Sequence, residues 1–167
     1  MLNIVLYQPE IPQNTGNIVR TVSATGTCLH LIEPLGFEIS DKQLKRAGLD
    51  YWNEADIRVY SSYEEFLNTV NNEKIRKSRL LYATTKSKYR YDGIDYTEYE
   101  DIYIVFGPES RGLPEDMLRE HYEDTVRIPM KEGCRSLNLA NSVAVVAYEA
   151  LRQKAFPFLR TDGNLTT

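Results

Sequence analysis

With 167 residues, 42% of them hydrophobic and 26% charged, the chain has the make-up of one soluble globular domain long enough to bury a core. Its apolar runs are far too short to cross a bilayer, and Met1-Leu2-Asn3-Ile4-Val5-Leu6-Tyr7 lacks the basic and long apolar regions of a signal peptide, so a cytoplasmic protein without a membrane segment is expected. A net charge of -4 and a pI near 5.3 argue against non-specific coating of nucleic acid, while leaving room for a local basic face.

Leu2 to Tyr7 reads as the first strand. Asn14 to Thr25 predicts a helix with Ile18, Val19 and Val22 on one face, Asn14 as a candidate cap and Gly26 as its stop. Cys28 to Glu33 is the second strand. Ser40 can cap a short helix that holds Leu44 and Ala47 and ends at Gly48; the same stretch gathers Lys42, Lys45 and Arg46. Ile57 to Tyr60 follows as a strand, then a helix from Ser62 to Val70 carrying Phe66, Leu67 and Val70. After the strand Arg79 to Thr84, Lys86, Lys88 and Arg90 interleave with Tyr89 and Tyr91, which suits either a solvated surface or stacking and phosphate contacts. Ile102 to Phe106 and Thr125 to Ile128 complete the strands, with a helical turn from Pro114 through Leu118 between them.

The last helix is predicted from Asn138 to Lys154. Leu139, Val143, Val146, Ala147, Ala150 and Leu151 fall at helical spacing, and Ala140, Ala144 and Val145 on other faces predict burial on more than one side. The alternation of strand and helix implies an α/β fold with a largely parallel sheet, one domain over residues 1–155, and a tail at 156–167 that is expected to fray.

The segment Ile128 to Ser142 is the richest in chemistry. A strand ends at Pro129, and a loop of backbone amides, hydroxyls and side-chain amides leads into an apolar helix, a place to hold a polar small molecule against an apolar wall. Gly107-Pro108-Glu109-Ser110-Arg111-Gly112 has the glycine spacing of a phosphate loop but lacks the Lys-Ser/Thr that must follow. No GxGxxG follows the first strand, so the usual dinucleotide geometry is absent. Two cysteines without metal-type spacing and two histidines make a metal site unexpected.

Three segments share a pattern: Leu6 to Arg20, Val105 to Pro114, and Ile128 to Ser142. Together they resemble the three motifs of the SPOUT class of RNA 2'-O-ribose methyltransferases. Ile32-Glu33-Pro34-Leu35-Gly36-Phe37 and Arg46-Ala47-Gly48-Leu49-Asp50-Tyr51-Trp52 are similar to the TrmL (YibK) branch, which acts on the tRNA wobble position. The resemblance covers roughly residues 1 to 155. It implies an α/β knot fold, with helices on both faces of the sheet and a C-terminal trefoil knot that general topology rules would reject. It implies S-adenosyl-L-methionine as cofactor, S-adenosyl-L-homocysteine as product, tRNA as partner, and a homodimer packed through the first and last helices.

By the same resemblance, cofactor contacts fall on Ala83, Thr84, Gly107, Ile128, Met130, Ser136 and Leu137. Arg20, Glu109 and Asn138 are the candidate catalytic residues, with Glu109 expected to pair with Arg20 or Arg111, and Asn138 or Ser136 to cap the last helix. Arg111, Arg135, Lys42 and Arg46 are the candidate RNA contacts. The implied activity is 2'-O-methylation of the ribose at position 34, of leucine tRNAs carrying cytidine or a modified uridine there. The same motifs also suit a ribose methyltransferase acting on another tRNA position or on rRNA, or a tRNA-binding module that has lost catalysis.

Overall fold

The computed structural model describes residues 1–39, 51–52, 54–72 and 77–165. The helix expected after Ser40, with Lys42, Lys45 and Arg46, lies outside the described residues. Six strands form one sheet: β1 (Leu2–Tyr7), β2 (Cys28–Ile32), β3 (Asp56–Tyr60), β4 (Ser78–Ala83), β5 (Asp101–Phe106) and β6 (Thr125–Val126). Their spatial order is β3-β2-β1-β5-β4-β6 and every pair is parallel. The helices are α1 (Pro12–Thr25), α2 (Tyr63–Asn72), α3 (Glu115–Glu120) and α4 (Leu139–Gln153).

The side-chain period of two divides each central strand between two cores. Leu2, Ile4 and Leu6 of β1 and Ile102, Ile104 and Phe106 of β5 face α1 and α4, meeting Ile18, Val22, Val143 and Ala147. Val5, Tyr103 and Val105 face the other way, against Phe66 of α2 and Leu118 of α3. Helices therefore cover both faces. At about 25 cal/mol per Å² of apolar surface, this two-sided burial is the main force holding the layers together.

Local signals set the ends of α1. Pro12 stands in its first turn, and Gly26 closes it in the left-handed region at φ 63°, as the sequence predicts. Asn14 does not cap it; the N-cap residue is Ile11, which offers no side-chain acceptor. The expected strand to Ile128 stops at Val126, with Arg127 continuing only as an isolated bridge to Arg90. Of the α4 residues expected to be covered on further faces, Ala140 is buried and Ala144 half-buried, while Val145 is exposed in a stripe with Asn141, Tyr148 and Arg152. The tail expected to fray is docked as far as Leu159. The Phe156 amide donates to Leu151 O (2.8 Å), and Phe156 and Leu159 pack on the core.

One polar group sits deep in the second core. His30 is 2% exposed, and its Nε2 lies 3.2 Å from Asn3 Oδ1 while Nδ1 lies 3.0 Å from the Tyr60 hydroxyl. Asn3 gives its amide hydrogens to Ile102 O, so its oxygen faces the ring and the imidazole proton is assigned to Nε2. Burial pushes this imidazole down to about 4, helped by the Arg58 charge. The folded state therefore holds a neutral ring, while the unfolded chain takes up a proton below about pH 6.5. Stability from this group is complete above that value and falls by about 3 kcal/mol as the pH drops through the window toward 4. Urea unfolding at about pH 7 and about pH 5 should show the loss, and His30→Gln should flatten it; equal midpoints in the parent protein would refute the assignment.

Candidate active site

The carboxyl ends of β4, β5 and β6 open onto a cavity of about 490 Å³. Ligands of open parallel sheets bind at that end of the strands, and the volume suits a small organic molecule. Ala83, Thr84 and Thr85 leave β4 along one wall. Gly107 to Leu113 leave β5 and form the second. Val126 to Ile128 and Met130 leave β6, and the loop Ser136 to Leu139 with Ser142 and Val146 of α4 closes the far side. Ile11 and Asn14, at the start of α1, complete the rim. Phe106, Ile128, Leu139 and Val146 give an apolar side, and Thr84, Thr85, Ser136 and Asn138 a polar one.

The second wall depends on glycine. The loop doubles back so tightly that a Cβ on Gly107 would stand closer than 3.0 Å to the backbone of Gly112 and Leu113. Gly112, at φ 70°, makes the reversal and donates its amide to Pro108 O (2.9 Å). The close approach at Gly107 is thus first to its own loop.

Hydrogen bonds join the three loops. Asn138 caps α4: its Oδ1 accepts from the amides of Ala140 (2.9 Å) and Asn141 (3.3 Å). Asn138 Nδ2 donates to Asn14 Oδ1 (2.8 Å), and Asn14 Nδ2 donates to Glu109 Oε1 (3.0 Å). Glu109 also accepts from the amides of Glu10 (2.9 Å) and Ile11 (3.2 Å), so a carboxylate from the β5 loop serves as the cap that α1 lacks. The expected pairing of Glu109 with Arg20 or Arg111 is corrected by this contact set. In return, the Glu10 carboxylate accepts the Ser110 amide and hydroxyl, which hold its carboxyl below the usual range.

The cavity brings Ala83, Thr84, Gly107, Glu109, Arg111, Ile128, Met130, Ser136, Leu137 and Asn138 together. Arg20 is not in its wall. It lies on the exposed side of α1 with its guanidinium over the Tyr51 ring, 5.3 Å from the centroid. Arg135 is exposed on the loop beside the cavity, and Lys42 and Arg46 lie outside the described residues. Sequence reasoning missed Ile11, Lys86, Arg127 and Ser142 as lining residues. Arg127 follows directly from β6 and had a signal, as a cation beside Ile128.

Charge is distributed with a purpose on this acidic chain. Arg58, Arg79, Lys86, Lys88, Arg90, Arg119, Arg152 and Arg160 each have a carboxylate within salt-bridge distance. The Lys86, Lys88 and Arg90 cluster is therefore neutralised by Glu115, Glu123 and Asp92. Other cations on the loops around the cavity lack such a salt bridge. Arg111 bonds to the neutral Gln8 (2.9 Å) and its charge helps to lower the Glu10 carboxyl, and Arg127, Lys131 and Arg135 have no carboxylate partner among the described residues. Unpaired cations at a cavity mouth keep their full attraction for phosphate. Among the described residues no group of three or more His, Cys, Asp or Glu is placed to hold a metal, and no helix is long and apolar enough to cross a membrane.

Comparison with known proteins agrees with this geometry. The chain is 50% identical over 158 residues to a tRNA (cytidine(34)-2'-O)-methyltransferase of Methylovorus glucosotrophus (strain SIP3-4), covering 93% of this chain and 97% of that one. It superposes with a TM-score of 0.85 and 47% identity on a structure solved for the 2-OH methylation of C/U34 on tRNA, over 93% of this chain and 97% of the other. The SpoU methyltransferase AviRb from Streptomyces viridochromogenes, in complex with the cofactor AdoMet, gives a TM-score of 0.82 at 25% identity, over 93% of this chain and 61% of that one. Fold and cavity together define a methyltransferase of the SPOUT class. The match to the SpoU rRNA methylase family runs over residues 1–148, and the chain belongs to that family.

Proposed function

We propose that the chain is an S-adenosyl-L-methionine-dependent tRNA (cytidine(34)-2'-O)-methyltransferase. The observation that carries this reading is the cavity at the ends of β4, β5 and β6, walled by all three family segments, with Arg111 and Arg127 in its lining. Its relatives act at C34 or U34 by their names, at identities near one half over nearly the whole chain. The substrate is proposed to be a leucine tRNA and the setting cytoplasmic. The working unit is proposed to be a homodimer, for which the exposed Val145 and Tyr148 on α4 offer an apolar face. The C-terminal segment is proposed to be threaded as a knot. Arg127 is bonded by its backbone to both Tyr89 and Tyr91, and the Tyr96 amide donates to Gln153 Oε1, so the 89–96 loop lies along that segment.

The cavity fits the cofactor in size, with an apolar side for a purine ring and a polar side for ribose and amino-acid groups. When bound, it supplies an electrophilic methyl group. Ala83, Thr84, Gly107, Ile128, Met130, Ser136 and Leu137 hold it, and the rest of the chain's task is to place a ribose 2'-oxygen in line with that carbon. Arg111 and Arg135 hold phosphates beside the reacting nucleotide. Arg20 stabilises negative charge as it develops on the 2'-oxygen, since a guanidinium does not itself give up a proton.

The test is to incubate the protein with total tRNA and labelled cofactor and to map the modified nucleotide. Label on the ribose at position 34 of leucine tRNAs is the expected result. Label at another position or on rRNA would move the substrate; cofactor binding without transfer to any RNA would leave a binding module.

A further inference from the structure

We infer that Asn14 is a positioning residue that locks the start of α1, the helix bearing Arg20, to the capped start of α4 in the cavity wall. The inference rests on the methyl-transfer reading above and deepens it. Asn14 is 6% exposed, and both ends of its carboxamide are used. The direction of the chain of bonds has one solution. Asn138 spends its oxygen on the amides of Ala140 and Asn141, so it can only donate to Asn14. Glu109 is a carboxylate and can only accept. Asn14 must therefore turn Oδ1 to Asn138 and Nδ2 to Glu109, and no other side chain of this length offers an acceptor and a donor in that order. Glu109, with three N–H donors on its two oxygens, acts as the anchor of this lock rather than as a proton acceptor.

Two helix starts, from residues 124 positions apart in sequence, are thus fixed by one buried amide. A shift between them would move Arg20 relative to the methyl group, and misplacement by about 1 Å costs about 10²-fold in rate.

The experiment uses the full chain with tRNA and cofactor. Asn14→Asp removes the donor and sets two carboxylates against each other, and kcat at saturating cofactor should fall about 10²-fold. Asn138→Asp keeps the acceptor for the Ala140 and Asn141 amides but loses the donor to Asn14, and should lower kcat by a similar factor. Full kcat in either variant would overturn the inference. Asn14→Ala gives a second readout that needs no activity. Amide exchange should quicken at Ala140 and Asn141, which Asn14 does not touch; unchanged protection there also overturns the lock. If the parent protein methylates no RNA, the enzymatic reading fails, and the exchange result still decides the role of Asn14.

Discussion

Gly107→Ala is expected to give a protein that no longer binds S-adenosyl-L-methionine and melts well below the parent. The added methyl would meet backbone, at Gly112 and Leu113, rather than the movable end of a side chain. The loop must open to accept it. That opening breaks the Gly112 to Pro108 bond and displaces Leu113, which is 4% exposed in the second core. Forcing a methyl group into such a site costs about 3 kcal/mol. For a chain of this size that corresponds to a fall in Tm of about 6–12 °C. The cavity loses its second wall in the same event, since Pro108, Glu109 and Arg111 belong to the displaced loop. Calorimetric titration with the cofactor and a thermal scan test both halves. Normal affinity with a normal Tm would mean that the loop has slack absent from the structure.

Arg20→Ala is expected to lower kcat by about 10²–10³-fold. Because the side chain is exposed and outside the cavity wall, Tm and cofactor affinity should stay at parent values. Its described partner is the Tyr51 ring, which orients the guanidinium without cancelling its charge. Arg20→Lys keeps the charge but loses the planar fork, and is expected to recover less than about tenfold of the loss. Single-turnover rates at saturating cofactor and tRNA separate these outcomes. An alanine variant with more than about half of the parent rate would remove Arg20 from the chemistry.

The sequence made the layers legible because parallel strands buried on both faces leave short, nearly continuous apolar runs. β1 and β5 stand out for that reason, and Gly26 marks the end of α1 through its own backbone freedom. Distant partners were not legible. Asn14 looked like a cap by its place before an apolar helix, but the cap is Glu109, 95 positions away, and no local pattern encodes that choice. Family motifs placed the cavity residues in one list. They did not separate Glu109, spent on amides of α1, from Arg20, which stands free of the wall. β6 is shorter than its apolar run implies because Arg127 makes only an isolated bridge beyond Val126.

The pocket joins residues far apart in sequence, from Ile11 and Asn14 through the β4 and β5 loops to Ile128 and Val146. Until α4 is made, one wall of that cavity is missing, and closing so long a loop is slow. On the methyl-transfer reading proposed above, a chain cut before α4 is therefore expected to carry out no transfer.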